Sequence, residues 1–100
     1  MELRHLRYFE AVARHSHVTR AAEELHIAQP ALSKQISQLE QELHIALFNR
    51  VGRSVRLTEA GEALLPHARA VLAQVAVARA EMSERVGLRK GRVSIGTTPT

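Results

Sequence analysis

Apolar residues recur every three or four positions along most of the chain, in separate stretches with polar breaks between them. Leu3, Leu6, Phe9, Val12 and Ala13 share one face of the segment from Glu2 to Arg14, with Arg4, Arg7, Glu10 and Arg14 elsewhere. This predicts a first amphipathic helix that buries one stripe. The HSH at 15–17 breaks the pattern, and Ser16 is the expected cap of the helix that follows, His17 being a poorer one. In that second helix Ala21 and Ala22 are small enough to admit a neighbouring helix, and Leu25 closes the apolar side. His26 and Ile27 then form a corner that calls for a positive φ, which His tolerates better than most residues though less well than Gly. Pro30 stands in the first turn of a third helix, where its missing N–H costs nothing. Leu32, Ile36, Leu39 and Leu43 step by 4, 3 and 4 and face inward. At about 100° per residue, Pro30, Lys34, Ser37, Gln38 and Gln41 point away from that stripe, Ser33 lies on the flank, and Gln29 projects nearer the apolar side.

The period changes after Leu43. Leu47 and Phe48, then Val55 and Leu57, are short apolar segments on either side of VGRS, where Gly52 permits a tight turn. A small β-hairpin with Arg53 at its tip and Arg50 and Arg56 nearby is the expected result. Thr58 caps a long helix with Glu59 and Glu62 at its positive end. Within that helix Leu64, Ala68, Val71, Val75, Ala78 and Met82 alternate steps of 4 and 3, close to the 3.5-residue period of paired helices. From Glu59 to about Arg89 the helix extends about 45 Å, too far for a small domain to cover, so a second copy of the chain is the expected partner. Pro66 removes one backbone bond near the start and is a point where the helix can bend. Gly87 and Gly91 punctuate the expected helix end, and RVSIG alternates like a strand with nothing to pair with. The chain therefore reads as cut just inside a further domain.

Composition sharpens this outline. Of 100 residues 45% are hydrophobic, but only Tyr8, Phe9 and Phe48 are aromatic, so Ala, Leu, Val and Ile dominate and a mostly α chain follows. The absence of cysteine excludes disulfides, thiolate metal sites and a cysteine nucleophile, and suggests an intracellular, cytoplasmic location. MELRHLRYF has no signal-peptide core, and no apolar run approaches the roughly 20 residues that span a bilayer, so no membrane association is expected. A net charge of +4 agrees with a polyanionic partner, and its distribution says more than its sum. No Asp or Glu occurs between Leu25 and Leu39 or between Leu43 and Thr58, while Lys34, Arg50, Arg53 and Arg56 fall inside those windows. An ordinary solvated helix face explains the polarity but not the missing acid; Ser, Lys and Gln on that face suit phosphates and base edges.

Taken together, the runs LRYFEAVA, TRAAEELHIAQPALSKQISQLEQEL and LFNRVGRSVRLTEAGEALL, followed by the long helix and GRVSIG, resemble the N-terminal DNA-binding part of LysR-type transcriptional regulators. The resemblance covers essentially the whole chain. It implies a winged helix-turn-helix over 1–57, a dimerising linker helix over 58–90, and the first residues of an effector-binding domain over 91–100. It also implies a homodimer on a pseudo-palindromic promoter in double-stranded DNA, higher assembly in the full-length protein, and a small-molecule effector bound by the domain that would follow. Carried over residue by residue, Gln29, Pro30, Ser33 and Lys34 meet the major groove, Thr19 and Arg20 approach the backbone, and Arg53 occupies the wing. Two residues depart from the family pattern. Lys34 stands where many relatives have Arg and lacks the bidentate fork, and His17 replaces a Ser.

Other chemistries find little support in the chain. His5, His15 and His17 are near one another in sequence, but residues two apart on a helix diverge and no carboxylate has ligand spacing, so no metal or other cofactor is expected. Ser33 and Ser37 have no recognisable base and orienting acid, so the chain does not read as an enzyme. Two function classes remain: a sequence-specific DNA-binding regulator, and a dimeric coiled-coil interaction module whose basic face is incidental.

Overall fold

The computed structural model describes residues 1–96, with side chains through Leu88. Its elements run α1 (Leu3–His15), α2 (Val18–Leu25), α3 (Gln29–Leu43), β1 (Phe48–Val51), β2 (Ser54–Leu57) and α4 (Glu59–Gly96). The first three helices pack around Phe9, Val12, Ala21, Leu32 and Leu39, all essentially closed to solvent. Ala21 and Ala22 are buried at the α1–α2 contact, where a larger side chain would hold the helices apart. The inward stripe of α3 is present as expected, with Leu32, Ile36 and Leu39 buried and Leu43 packed beside them. This is the winged helix-turn-helix architecture, and no helix among the described residues is long and apolar enough to cross a membrane.

The helix ends are made by unusual residues. Ser16, His26 and His44 all take positive φ, at 53°, 58° and 59°. At the ends of α2 and α3 the chain closes in the same way: Ile27 N–H bonds Ala22 O and His26 N–H bonds Glu23 O, while Ile45 N–H bonds Glu40 O and His44 N–H bonds Gln41 O. These are Schellman closures with His in the position Gly usually takes. Exchange of His44 for Gly is therefore expected to raise stability by about 0.5–1 kcal/mol, read as a higher urea midpoint at unchanged slope. Ser16 does not cap α2; it ends α1, and His17 takes the capping role through Nδ1, which accepts the Arg20 N–H at 3.2 Å. An imidazole nitrogen thus replaces the hydroxyl expected there.

The hairpin pairs Phe48 with Leu57, Asn49 with Arg56, Arg50 with Val55, and Val51 with Ser54. Its two-residue turn puts Gly52 first at φ 62°, where a side chain would be strained. Val55 is buried, and the Phe48 ring lies 5.3 Å from that of Phe9 at a 47° tilt, so one face of the hairpin is part of the core.

Thr58 begins α4 as expected, its hydroxyl accepting the Gly61 N–H at 3.1 Å and donating to Ala46 O at 2.6 Å. Beyond that the helix differs from expectation. It passes through Pro66, Gly87 and Gly91 without a break and is still helical at Gly96, where a strand was predicted. The physical reason is that a strand must borrow backbone partners whereas a helix supplies its own, at a cost of about 1 kcal/mol per interior Gly. Residues 97–100 lie outside the described residues.

An exposed charge cluster joins α1 to α2. Arg14 reaches both Glu24 oxygens at 2.7 Å and Glu10 at 3.1 Å, and His15 Nε2 lies 2.7 Å from Glu24. Arg14 first, and His15 second, hold the Glu24 carboxyl down at about 2 from its ordinary 4.5. A depressed carboxyl stabilises the fold fully above its unfolded value and loses that contribution as pH falls through the folded one. Glu24→Gln is thus expected to flatten the stability profile between about pH 5 and pH 2 in acid denaturation followed by circular dichroism.

Candidate nucleic-acid interface

The polar face of α3 is presented as the sequence predicts, with Pro30, Lys34, Ser37, Gln38 and Gln41 exposed. Gln29, expected nearer the apolar side, is exposed as well, and so are Thr19 and Arg20 on α2. Gln29 and Pro30 occupy the first turn of α3, after an Ala28 whose side chain cannot cap, so the first N–H groups of the helix find no side-chain cap at Ala28. Ser33 behaves differently from its neighbours. It is half-buried, and its hydroxyl is closed to solvent without a hydrogen-bond partner. A DNA contact through Ser33 therefore requires rotation about χ1.

Arg53 is exposed at the hairpin turn, with Arg56 exposed on β2. Arg50 pairs with Val55 and so shares the inner side of the hairpin, where it borders a cleft of about 110 Å³ together with Ser33, Ser37, Glu40 and Phe48. That cleft connects the flank of α3 to β1, which makes the helix face and the hairpin adjoining parts of one surface.

Ion pairing sorts the cations into two groups. Arg4 pairs with Glu2, Arg14 with Glu10 and Glu24, Arg69 with Glu10, and Arg85 with Glu81. Arg20, Lys34, Arg50, Arg53 and Arg56 have no acidic partner among the described residues; Arg7 and Arg79, on α1 and α4, share that condition. The acid-free windows in the sequence thus become a surface of uncompensated positive charge, which raises the local concentration of a polyanion.

A model of the bacterial regulatory helix-turn-helix proteins of the lysR family matches residues 3–62. The chain belongs to the LysR family. It is 50% identical over 101 residues to the HTH-type transcriptional regulator BudR of Klebsiella aerogenes, spanning 98% of this chain and 68% of BudR. It is 44% identical over 100 residues to the RuBisCO operon transcriptional regulator of Allochromatium vinosum, and there it spans all of this chain but only 33% of that protein. Among solved structures, the BenM_DBD/benA site 1 DNA complex superposes with a TM-score of 0.77 at 45% identity, over 86% of this chain and 99% of that one. The winged helix-turn-helix of this LysR-family chain is therefore shared in both sequence and shape.

The predicted dimer stripe is divided by the fold. Ala68 is fully buried within its own chain and Leu64 packs against the same core, so Ala68 is not available to a second copy. The reason is the approach of α1, whose Glu10 also pairs with Arg69 on the next residue of α4. Val71, Ala78 and Met82 are exposed and Val75 is half-buried, and Val86, one step of 4 further on, is exposed as well.

The three histidines once grouped by sequence are engaged separately. His5 is buried with Nδ1 accepting the Glu2 N–H at 3.2 Å, His15 meets Glu24, and His17 caps α2. Among the described residues no three His, Cys, Asp or Glu side chains are placed to hold a metal ion.

Sequence reasoning missed two residues that shape the surface. Glu40 ties the end of α3 to the start of the hairpin, and Gly61 lets α4 approach Leu47. For Gly61 the signal was an isolated glycine in an otherwise apolar helical run. For Glu40 there was none beyond its being the first acid after a window without any.

Proposed function

We propose that this LysR-family chain binds double-stranded promoter DNA sequence-specifically as a homodimer, acting by binding and not by catalysis. In this reading residues 1–57 contact the DNA, 58–90 pair two copies, and 91–100 begin an effector-binding domain belonging to a longer cytoplasmic regulator with its own small-molecule ligand and higher assembly. The observation that carries it is the joined surface of α3 and hairpin, whose four cations Lys34, Arg50, Arg53 and Arg56 have no acidic partner among the described residues. Gln29, Pro30, Ser33 and Lys34 enter the major groove, Thr19 and Arg20 bear on the sugar-phosphate backbone, and Arg53 follows phosphates or enters the narrow minor groove. Two copies held at a fixed spacing read a pseudo-palindrome.

Selection of DNA from a random pool, followed by affinity measurements over a salt series, tests this. Counterion release predicts a steep fall of affinity with salt, and base contacts predict a sequence preference that persists at physiological salt. Lys34→Ala is expected to relax preference at one position per half-site by about 1–3 kcal/mol. Arg53→Ala is expected instead to lower affinity on every sequence and to reduce the salt slope by about 1. Dimers that enrich no DNA would leave the coiled-coil interaction module as the function.

A further inference from the structure

We propose that Glu40 is a positioning residue for DNA binding: it sets the angle of the hairpin against α3 so that Arg53 reaches the backbone while Lys34 reads the groove. The inference rests on the DNA-binding reading above. Glu40 lies in the last turn of α3, and its Oε2 accepts two backbone N–H groups, from Leu47 at 2.7 Å and from Phe48 at 3.2 Å. Those two residues are the entry to the hairpin. On the other strand, buried Val55, one rung from the turn, bonds Ser16 O through its N–H at 3.1 Å, so β2 is tied to the end of α1 while Glu40 ties the start of β1 to α3. The cleft lined by Ser33, Ser37, Glu40, Phe48 and Arg50 lies between hairpin and recognition helix. Val55 and Ser16 fix the hairpin against α1, and its approach to α3 across the cleft is set where Glu40 holds Leu47 and Phe48.

Leverage makes the base important. The hairpin rises about 13 Å from Phe48 to Gly52 at roughly 3.3 Å per residue, so a rotation of about 10° at the base moves the tip about 2 Å. A charge-assisted hydrogen bond spans only about 2.7–2.9 Å and does not survive that displacement. A carboxylate with one oxygen shared between two consecutive N–H groups resists such a rotation, because both bonds lengthen together.

Charge and position predict opposite signs, which makes the proposal testable. Removing a carboxylate beside a cationic surface strengthens attraction to a polyanion. Losing the hairpin's alignment weakens it. In the 100-residue chain, Glu40→Ala is expected to lower affinity for the selected DNA site about tenfold and to reduce the salt slope as Arg53→Ala does. Glu40→Gln keeps an acceptor oxygen in place and is expected to bind within about threefold of the unaltered protein, which also covers the case in which the alanine variant folds poorly. Against an Arg53→Ala background, Glu40→Ala is expected to cost less than about twofold; against Lys34→Ala it is expected to cost its full amount. Tighter binding by Glu40→Ala, or equal losses in the Arg53→Ala and Lys34→Ala backgrounds, would overturn the proposal while leaving DNA binding intact. Failure of the unaltered chain to bind any DNA would overturn the DNA-binding reading itself. In that event, unchanged amide exchange at Leu47 and Phe48 in Glu40→Ala would remove the positioning role as well.

Discussion

Replacing Val75 by Asp is expected to turn the proposed dimer into monomers and to cut affinity for a two-half-site DNA by about a hundredfold or more. The helix α4 projects from the three-helix body, in a chain whose long dimension is 61 Å against 24 and 19 Å across. Along it Val71, Val75, Ala78, Met82 and Val86 form one stripe, and Val71 is 42% and Met82 52% exposed. Five apolar positions at steps of 4, 3, 4 and 4, flanked by the exposed Val77, are the composition of a seam between helices. An aspartate at its centre either stays charged and unpaired in that seam or keeps the helices apart, and burying it costs several kcal/mol. Affinity for a single half-site is expected to stay unchanged, because Lys34 and Arg53 lie on other elements. Sedimentation equilibrium gives the assembly state, and titration of one- and two-half-site DNA separates linkage from contact. Intact dimers of both Val71→Asp and Val75→Asp would remove the stripe from the assembly. Ala68→Asp, by contrast, is expected to unfold the domain, since that side chain is fully enclosed by its own chain.

The helices and the hairpin were legible because each has a local cause. A 3.6-residue period, Pro30 in a first turn and Gly52 between two apolar pairs specify α1, α3 and the wing without reference to anything distant. His26 at the corner was legible for the same reason, its positive φ being a demand of the closure itself. What escaped depends on contacts made across the chain. The division of the α4 stripe at Ala68 follows from where α1 happens to lie, and a heptad pattern looks the same whether its first turns face their own core or a partner. The role of Glu40 depends on how closely the Ile45–Ala46 loop brings the Leu47 and Phe48 amides back to α3, at separations of 7 and 8 residues. The alternation in RVSIG was real, but alternation alone does not supply a neighbouring strand, and the described backbone remains helical through Gly96. Ser33 shows the same limit at a single bond: its place on the flank of α3 was readable, and the inward turn of its hydroxyl was not.

Two glycines of α4 are expected to respond to the same substitution with opposite signs, and the larger effect is at Gly61. A Cβ there would stand 2.3 Å from the Leu47 carbonyl oxygen and 2.8 Å from Leu57 Cδ2. The leucine side chain can turn aside, but the carbonyl belongs to backbone and already accepts the Thr58 N–H at 2.9 Å. Relieving the overlap means moving α4 away from the base of the hairpin and loosening that hydrogen bond. Overpacking and the lost bond together make Gly61→Ala costly by about 2–4 kcal/mol, a fall in Tm of about 10 °C or more for a domain of this size. At Gly87 a Cβ meets nothing within 4 Å, and the helix simply gains a better helix former. Gly87→Ala is therefore expected to stabilise α4 by about 0.5–1 kcal/mol. Urea unfolding of the two variants beside the unaltered chain measures both. A Gly61→Ala midpoint equal to that of the unaltered protein would mean that α4 does not close on Leu47, and with it would go the account of how the long helix, the hairpin base and the α3 end are held as one rigid body. If the midpoint falls as expected, the same close approach that costs a methyl group its place explains why the spacing between the α4 seam and the hairpin tip is fixed, which is what a dimer needs in order to measure the distance between two half-sites.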